Sequence, residues 1–160
     1  MKTIRILCGI QCSGKSTYCE KLDYFNKRHS VVISRDYIRE NYFEKPYIIN
    51  NFNENRVTKI FNDELNQWLN LYSRNAEPLW TIILDNTFCK EKYIDEIISK
   101  YGNVYNIEIK FFDISLIKAH YRNIIRRFKT GKWIPIKVLN QFYRNYKKIN
   151  RNKYKQYIIE

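Results

Sequence analysis

A chain of 160 residues with 44% hydrophobic and 16% aromatic content can bury one sizeable core. No apolar run approaches the roughly 18 residues of a membrane span, and no signal segment opens the chain, so a cytoplasmic protein is expected. The net charge of +13 is uneven: residues 114–159 hold thirteen Lys and Arg and no Asp or Glu, whereas the remainder balances sixteen of each sign.

The predicted elements alternate. Thr3–Cys8 reads as a strand, with Ile4, Ile6 and Cys8 on one side and Arg5 and Leu7 on the other. Residues 9–16, Gly-Ile-Gln-Cys-Ser-Gly-Lys-Ser, complete the pattern G-x-x-x-x-G-K-[ST]. Gly9 and Gly14 let the backbone curl so that N–H groups of Gln11, Cys12 and Ser13 point inward at a phosphate. Lys15 is placed to reach the β- and γ-phosphates, and the Ser16 hydroxyl is a magnesium ligand. Ser16–Phe25 follows as a helix with its N-terminus at the phosphates.

Val31–Ile33 is a second strand, Asp36–Phe43 a short helix, Glu44–Asn55 a loop and Glu54–Tyr72 a long helix. Trp80–Leu84 is an apolar run, as in a buried parallel strand. Glu91–Tyr101 is helical, Val104–Phe112 a strand and Ser115–Arg127 a helix. Phe128–Ile134, containing Gly131, is a basic loop. Pro135 opens a last helix ending near Ile149. Tyr157–Ile159 is a candidate edge strand. The expected fold is α/β: one domain over 1–160, a doubly wound, mainly parallel sheet with helices on both faces and a basic lid at about 122–134.

In such a sheet, ligands bind beyond the carboxyl ends of the strands. The second strand delivers Asp36 to that edge, where a carboxylate can take the proton of an attacking hydroxyl. Arg39 lies one helical turn on and can grip an anionic group of the acceptor. It can equally pair with Asp36. The apolar strand delivers Asp85, able to organise magnesium-bound water, and Asn86 and Thr87, able to hydrogen-bond an acceptor or to cap the next helix. Lys118, Arg122 and Arg126 form one basic helical stripe, which Arg127, Lys129 and Lys132 continue. Arg126, or Arg127 beside it, is the candidate for transition-state charge. Trp133 and Ile134 are placed either to pack on a base or to join the core.

The acid-free last third attracts a polyanion. Residue usage rich in Ile, Asn, Lys and Tyr inflates Lys but does not explain the missing acids. Cys8, Cys12, Cys19 and Cys89 form no Cys-x-x-Cys pair, which argues against a disulfide framework or zinc site. Cys12 sits inside the phosphate loop, a position open to alkylation.

In these motifs the chain resembles the phage-type polynucleotide 5′-hydroxyl kinases, a branch of the P-loop phosphotransferases. The matching segments are Gly9–Ser16 with Thr17, Arg35-Asp36 with Arg39, the strand ending Asp85-Asn86-Thr87, and Phe112-Asp113. Arg122-Asn123-x-x-Arg126 and Ile134-Pro135-Ile136-x-Val138-Leu139 complete the series. The resemblance implies transfer of the ATP γ-phosphate to the 5′-hydroxyl of DNA or RNA, with Mg²⁺. It implies that Lys15 and Ser16 bind ATP and magnesium, and that Asp36 is the general base. It implies that Arg39 holds the phosphate 3′ of the first nucleotide, Arg126 the donor phosphates, and Ile134 and Val138 the terminal base. The phosphatase domain that often accompanies this kinase is not expected in these residues. A phage or viral source and a role in nucleic-acid repair would follow from the resemblance. The alternatives are a kinase of a small-molecule alcohol or of a modified base in DNA, and a nucleic-acid-binding ATPase switch.

Overall fold

The computed structural model describes residues 2–26, 30–44, 50–74 and 81–160. Among the described residues, four strands form the sheet: β1 (Thr3–Cys8), β2 (Ser30–Ser34), β3 (Thr81–Asp85) and β4 (Asn106–Phe111). Their order is β2-β3-β1-β4, and every pairing is parallel, with Ile6 opposite both Leu84 and Ile109. Side chains alternate across the sheet. Ile4, Ile6, Ile82, Leu84 and Ile109 enter the larger core, while Leu7 and Ile83 meet Cys19 in the smaller one. Each such Ile or Leu contributes roughly 1.5–3 kcal/mol by leaving water. That two-sided burial explains the apolar runs Ile6–Cys8 in β1 and Ile82–Leu84 in β3.

Helix α1 (Lys15–Asn26) covers the smaller core; α3 (Asn51–Arg74), α4 (Glu91–Tyr101) and α6 (Ile136–Lys147) contribute to the larger. The expected doubly wound α/β fold with helices on both faces is therefore present. Because β1 leads towards β2 and β3 leads back across β1 to β4, the connections diverge between β1 and β3. A crevice opens at that point, at the carboxyl edge.

Several boundaries differ from expectation. Helix α3 begins at Asn51, inside the expected loop, with Asn50 Oδ1 accepting from Asn53 N at 2.8 Å. Such an amide caps a helix start that apolar spacing alone does not mark. Strand β4 begins at Asn106, because the backbone around Tyr101–Tyr105 closes a turn on the Tyr101 carbonyl. Helix α5 (Leu116–Thr130) runs three residues beyond Arg127 and ends at Gly131, whose φ of 70° is the left-handed cap. The expected edge strand at 157–159 shrinks to a single bridge between Ile158 and Ile109. A 3-10 helix, Arg151–Tyr157, uses the preceding chain and is tied to α4 by Tyr154 Oη donating to Asp95 at 2.9 Å. The expected segments at Trp80 and within 45–49 lie outside the described residues.

Candidate active site

The phosphate loop is built by backbone conformation. Gly14 has φ 108°, where a side chain is strained, and Cys12 adopts φ 62° despite its Cβ. A Cβ on Gly9 would lie 2.8 Å from Ser13 Oγ and 2.9 Å from Phe112 Cβ, so only glycine fits where the loop leaves β1. The loop curls around Lys15, whose Nζ donates to the Gly9 and Ile10 carbonyls at 2.9 and 2.8 Å. Burial lowers the Lys15 pKa below the ordinary lysine value, while Asp85, Cys89 and Asp36 oppose the shift. The Ser13 hydroxyl is buried without a partner. An unpaired donor inside a ring of curled backbone fits an anion. The loop residues Gln11, Cys12, Ser13, Gly14, Lys15, Ser16 and Thr17 all line one cleft of about 650 Å³. Ser16 and Thr17 are exposed in the first turn of α1.

The opposite wall comes from α2 (Arg35–Asn41). Ser34, not Asp36, caps this helix: its hydroxyl accepts from Tyr37 N at 3.4 Å. Asp36 therefore has its carboxylate at the cleft, beside Arg39, whose Nη1 donates to Asp36 Oδ1 at 2.7 Å. Arg39 is thus paired with Asp36 and also lines the cleft. A third participant, Glu54 of α3, binds Arg39 through both carboxylate oxygens. Nothing local in the sequence points to Glu54, since α3 packs on α2 only through tertiary structure.

Asp85, Asn86 and Thr87 line the cleft at the end of β3. Burial raises the Asp85 carboxyl above the ordinary value; Lys15 opposes this and Asp36 adds to it. Neither Asn86 nor Thr87 caps α4; that position belongs to Lys90, without a side-chain bond. Asn86 Oδ1 instead accepts from Thr87 N at 2.6 Å, and Phe88 turns into the core.

Helix α5 reaches over the phosphate loop. Arg122 Nη1 donates to the Cys12 carbonyl at 3.1 Å, and Arg126 lines the cleft beside it. In the sequence Arg122 belongs to the basic stripe and to the Arg122-Asn123-x-x-Arg126 segment, but its bond to Cys12 is not legible there. Arg127 stacks over the Trp133 ring, 5.4 Å from its centroid, outside the residues that line the cleft. Lys132 reaches across to Glu40 of α2 in an ion pair. Asn123 is fully buried and clamps the Ile134 backbone, donating to its carbonyl at 2.8 Å and accepting from its N–H at 3.2 Å. The residues that the resemblance assigns to the terminal base are Ile134 and Val138. Ile134 packs against the core under that clamp, Val138 lies on α6, and neither lines the cleft.

No curated protein matches the chain. Among solved structures, a chain of the Pnkp1/Rnl/Hen1 RNA repair complex superposes with TM-score 0.73 at 24% identity, covering 91% of this chain. A second structure of that complex gives TM-score 0.61 at 24% identity over 76% of this chain. A sugar kinase from Janibacter sp. HTCC2649 gives 0.58 at 12% identity, covering 94% of this chain and 80% of that one. The chain spans less than half of the two repair-complex chains, 44% and 38% of their lengths. These likenesses extend the fold, not a substrate. The AAA domain family model matches residues 4–149, so the chain belongs to that family and has the P-loop kinase fold.

Proposed function

We propose that this protein transfers the γ-phosphate of ATP to the 5′-hydroxyl of a polynucleotide, DNA or RNA. Residues 1–160 act as one domain with a lid at about 122–134, in the cytoplasm. The observation that carries the reading is the single cleft holding Lys15, Asp36, Arg39 and Arg126 together.

The donor phosphates would lie in the loop, where Lys15 exchanges its two carbonyl partners for phosphate oxygens. The Ser16 hydroxyl, exposed at the cleft, would hold magnesium, whose chemistry there would be charge neutralisation. Asp36 takes the proton of the attacking hydroxyl, and Arg39 holds the neighbouring phosphate of the acceptor. Arg126 meets the charge that develops on the transferred group, an effect worth roughly 10³–10⁵ in rate for such arginines. The developing charge is met by groups already in place, so little reorganisation accompanies transfer.

A polyanionic acceptor fits the charge left over after folding. Arg151 pairs with Asp113, and Lys153 with Asp95 and Glu91. Among the described residues, Arg126, Lys129, Lys137 and Arg144 pair with no carboxylate, so the lid side keeps a positive field. Similar folds occur in an RNA repair complex and in a sugar kinase, so a polynucleotide and a small alcohol are the two acceptors to compare.

Labelled γ-phosphate supplied to a short single strand bearing a 5′-hydroxyl decides between them. The expected outcome is label on that strand, none on its 5′-phosphorylated twin, and none with Asp36→Ala. ATP consumption without label on the strand discards the reading in favour of an ATPase switch. No consumption with the strand, but transfer to a sugar, nucleoside or base-modified DNA, discards it in favour of another kinase.

A further inference from the structure

We infer that Glu54 is a positioning residue that holds Arg39 ready for an acceptor phosphate. The identity of that anion rests on the polynucleotide reading above. Glu54 lies in the first turn of α3 and is not among the residues lining the cleft. Its Oε1 accepts from Arg39 Nε at 2.9 Å and its Oε2 from Arg39 Nη2 at 2.8 Å. Two parallel bonds to one edge of a guanidinium fix its plane as well as its place. The opposite edge is turned away from Glu54, and Nη1 on it reaches Asp36 at 2.7 Å. Arg39 therefore stands between a carboxylate outside the cleft and a carboxylate at the cleft. The Glu54 side chain is 29% exposed and that of Asp36 71%.

The same Glu54 Oε2 also accepts from Arg35 Nη2 at 3.1 Å, and Thr58 Oγ1 accepts from Arg35 Nη1 at 2.9 Å. Arg35 and Arg39 both line the cleft. One carboxylate thus holds two guanidiniums close together against their mutual repulsion. Without it, Arg39 would keep its bond to Asp36. The arginine would then be drawn onto the proposed base instead of being shared, and its long side chain would regain rotamer freedom. Glu54 and Thr58 sit one turn apart on α3, so α3 sets the acceptor side of the cleft without touching an acceptor.

An ordinary tie between α2 and α3 would show the same bonds but not the same coupling. The test is binding of a fluorescent four-nucleotide single strand with a 5′-hydroxyl, without ATP. It compares wild type with Glu54→Gln, Glu54→Asp, Arg39→Ala and the Arg39→Ala/Glu54→Gln double variant. Glu54→Gln is expected to weaken binding about tenfold, and Glu54→Asp by less. In the Arg39→Ala background, Glu54→Gln is expected to add nothing. Unchanged or tighter binding by Glu54→Gln, or the same loss with and without Arg39, overturns the inference. Should Glu54→Gln not fold, Glu54→Asp decides by the same comparison. Wild-type binding without phosphate transfer removes the kinase reading and leaves this inference standing on the coupling. No wild-type binding removes both.

Discussion

Arg122 Nη1 on α5 donates to the carbonyl oxygen of Cys12 at 3.1 Å, joining the basic helix to the phosphate loop across 110 residues of sequence. The bond steadies a loop residue held at φ 62°. It also places a fixed positive charge beside the proposed donor site. Arg122→Ala is expected to raise KM for ATP about tenfold while leaving KM for the oligonucleotide within about twofold. Steady-state kinetics with each substrate varied in turn checks this. Equal rises in both constants would mean a general collapse of the lid.

Arg126 and Arg127 are neighbours with different surroundings. Arg126 lines the cleft, while Arg127 lies over Trp133. Arg126→Ala is expected to lower kcat by roughly 10³, in the range of transition-state arginines. Arg127→Ala removes an exposed cation–π contact worth about 0.5–1 kcal/mol and should leave kcat within about threefold. A reversed order of the two effects would transfer the lid role to Arg127.

Cys12 is expected to be the first thiol alkylated. It lines the cleft, whereas Cys8, Cys19 and Cys89 are buried. Burial pushes the Cys89 thiol up to about 12 and the Cys8 thiol further still, so neither supplies thiolate near neutral pH. Iodoacetamide should add one group at Cys12, with loss of activity, and ATP should protect it. Peptide mass mapping reads the site, and Cys12→Ser should keep activity under the same treatment. First modification at Cys19 would refute the assignment.

Asp85 gives a pH prediction with a definite sign. Burial raises its folded-state pKa above the ordinary carboxylate value of 3.8. Just above pH 3.8 the folded protein therefore holds more protons at this site than the unfolded chain. Stability from this group is highest at low pH and falls as pH rises through that window. Asp85→Asn lacks the fall. The wild-type minus variant difference in unfolding free energy should decrease from pH 3.5 to 7 in urea titrations. An increase would mean that Lys15 outweighs burial.

The strands and most helices were legible because their signals are local. An apolar run such as 82–84 needs burial on both sides, and the glycine spacing of 9–16 needs a curled backbone. Even Gly131, in the sequence a loop residue, serves as a helix cap because left-handed φ suits it. The end of α5 was less legible, since the basic residues at 127–130 suit helix and loop alike. Ile134, which in the sequence suits base contact and core alike, packs against the core for a non-local reason: the buried Asn123 amide, eleven residues earlier, holds its backbone.

Sequence by itself determined the phosphate loop, the α/β alternation, and the edge to which Asp36, Arg39 and Asp85 are delivered. These follow from steric rules over a few residues and from the parallel sheet that alternation implies. Only the tertiary structure decided who surrounds them. Glu54 reaches Arg39 across 15 residues, Lys132 meets Glu40 across 92, and Arg122 meets Cys12 across 110. Charge attraction and hydrogen bonding act through space. Which partners they join depends on how α2, α3 and α5 pack around the sheet, and no local spacing records that.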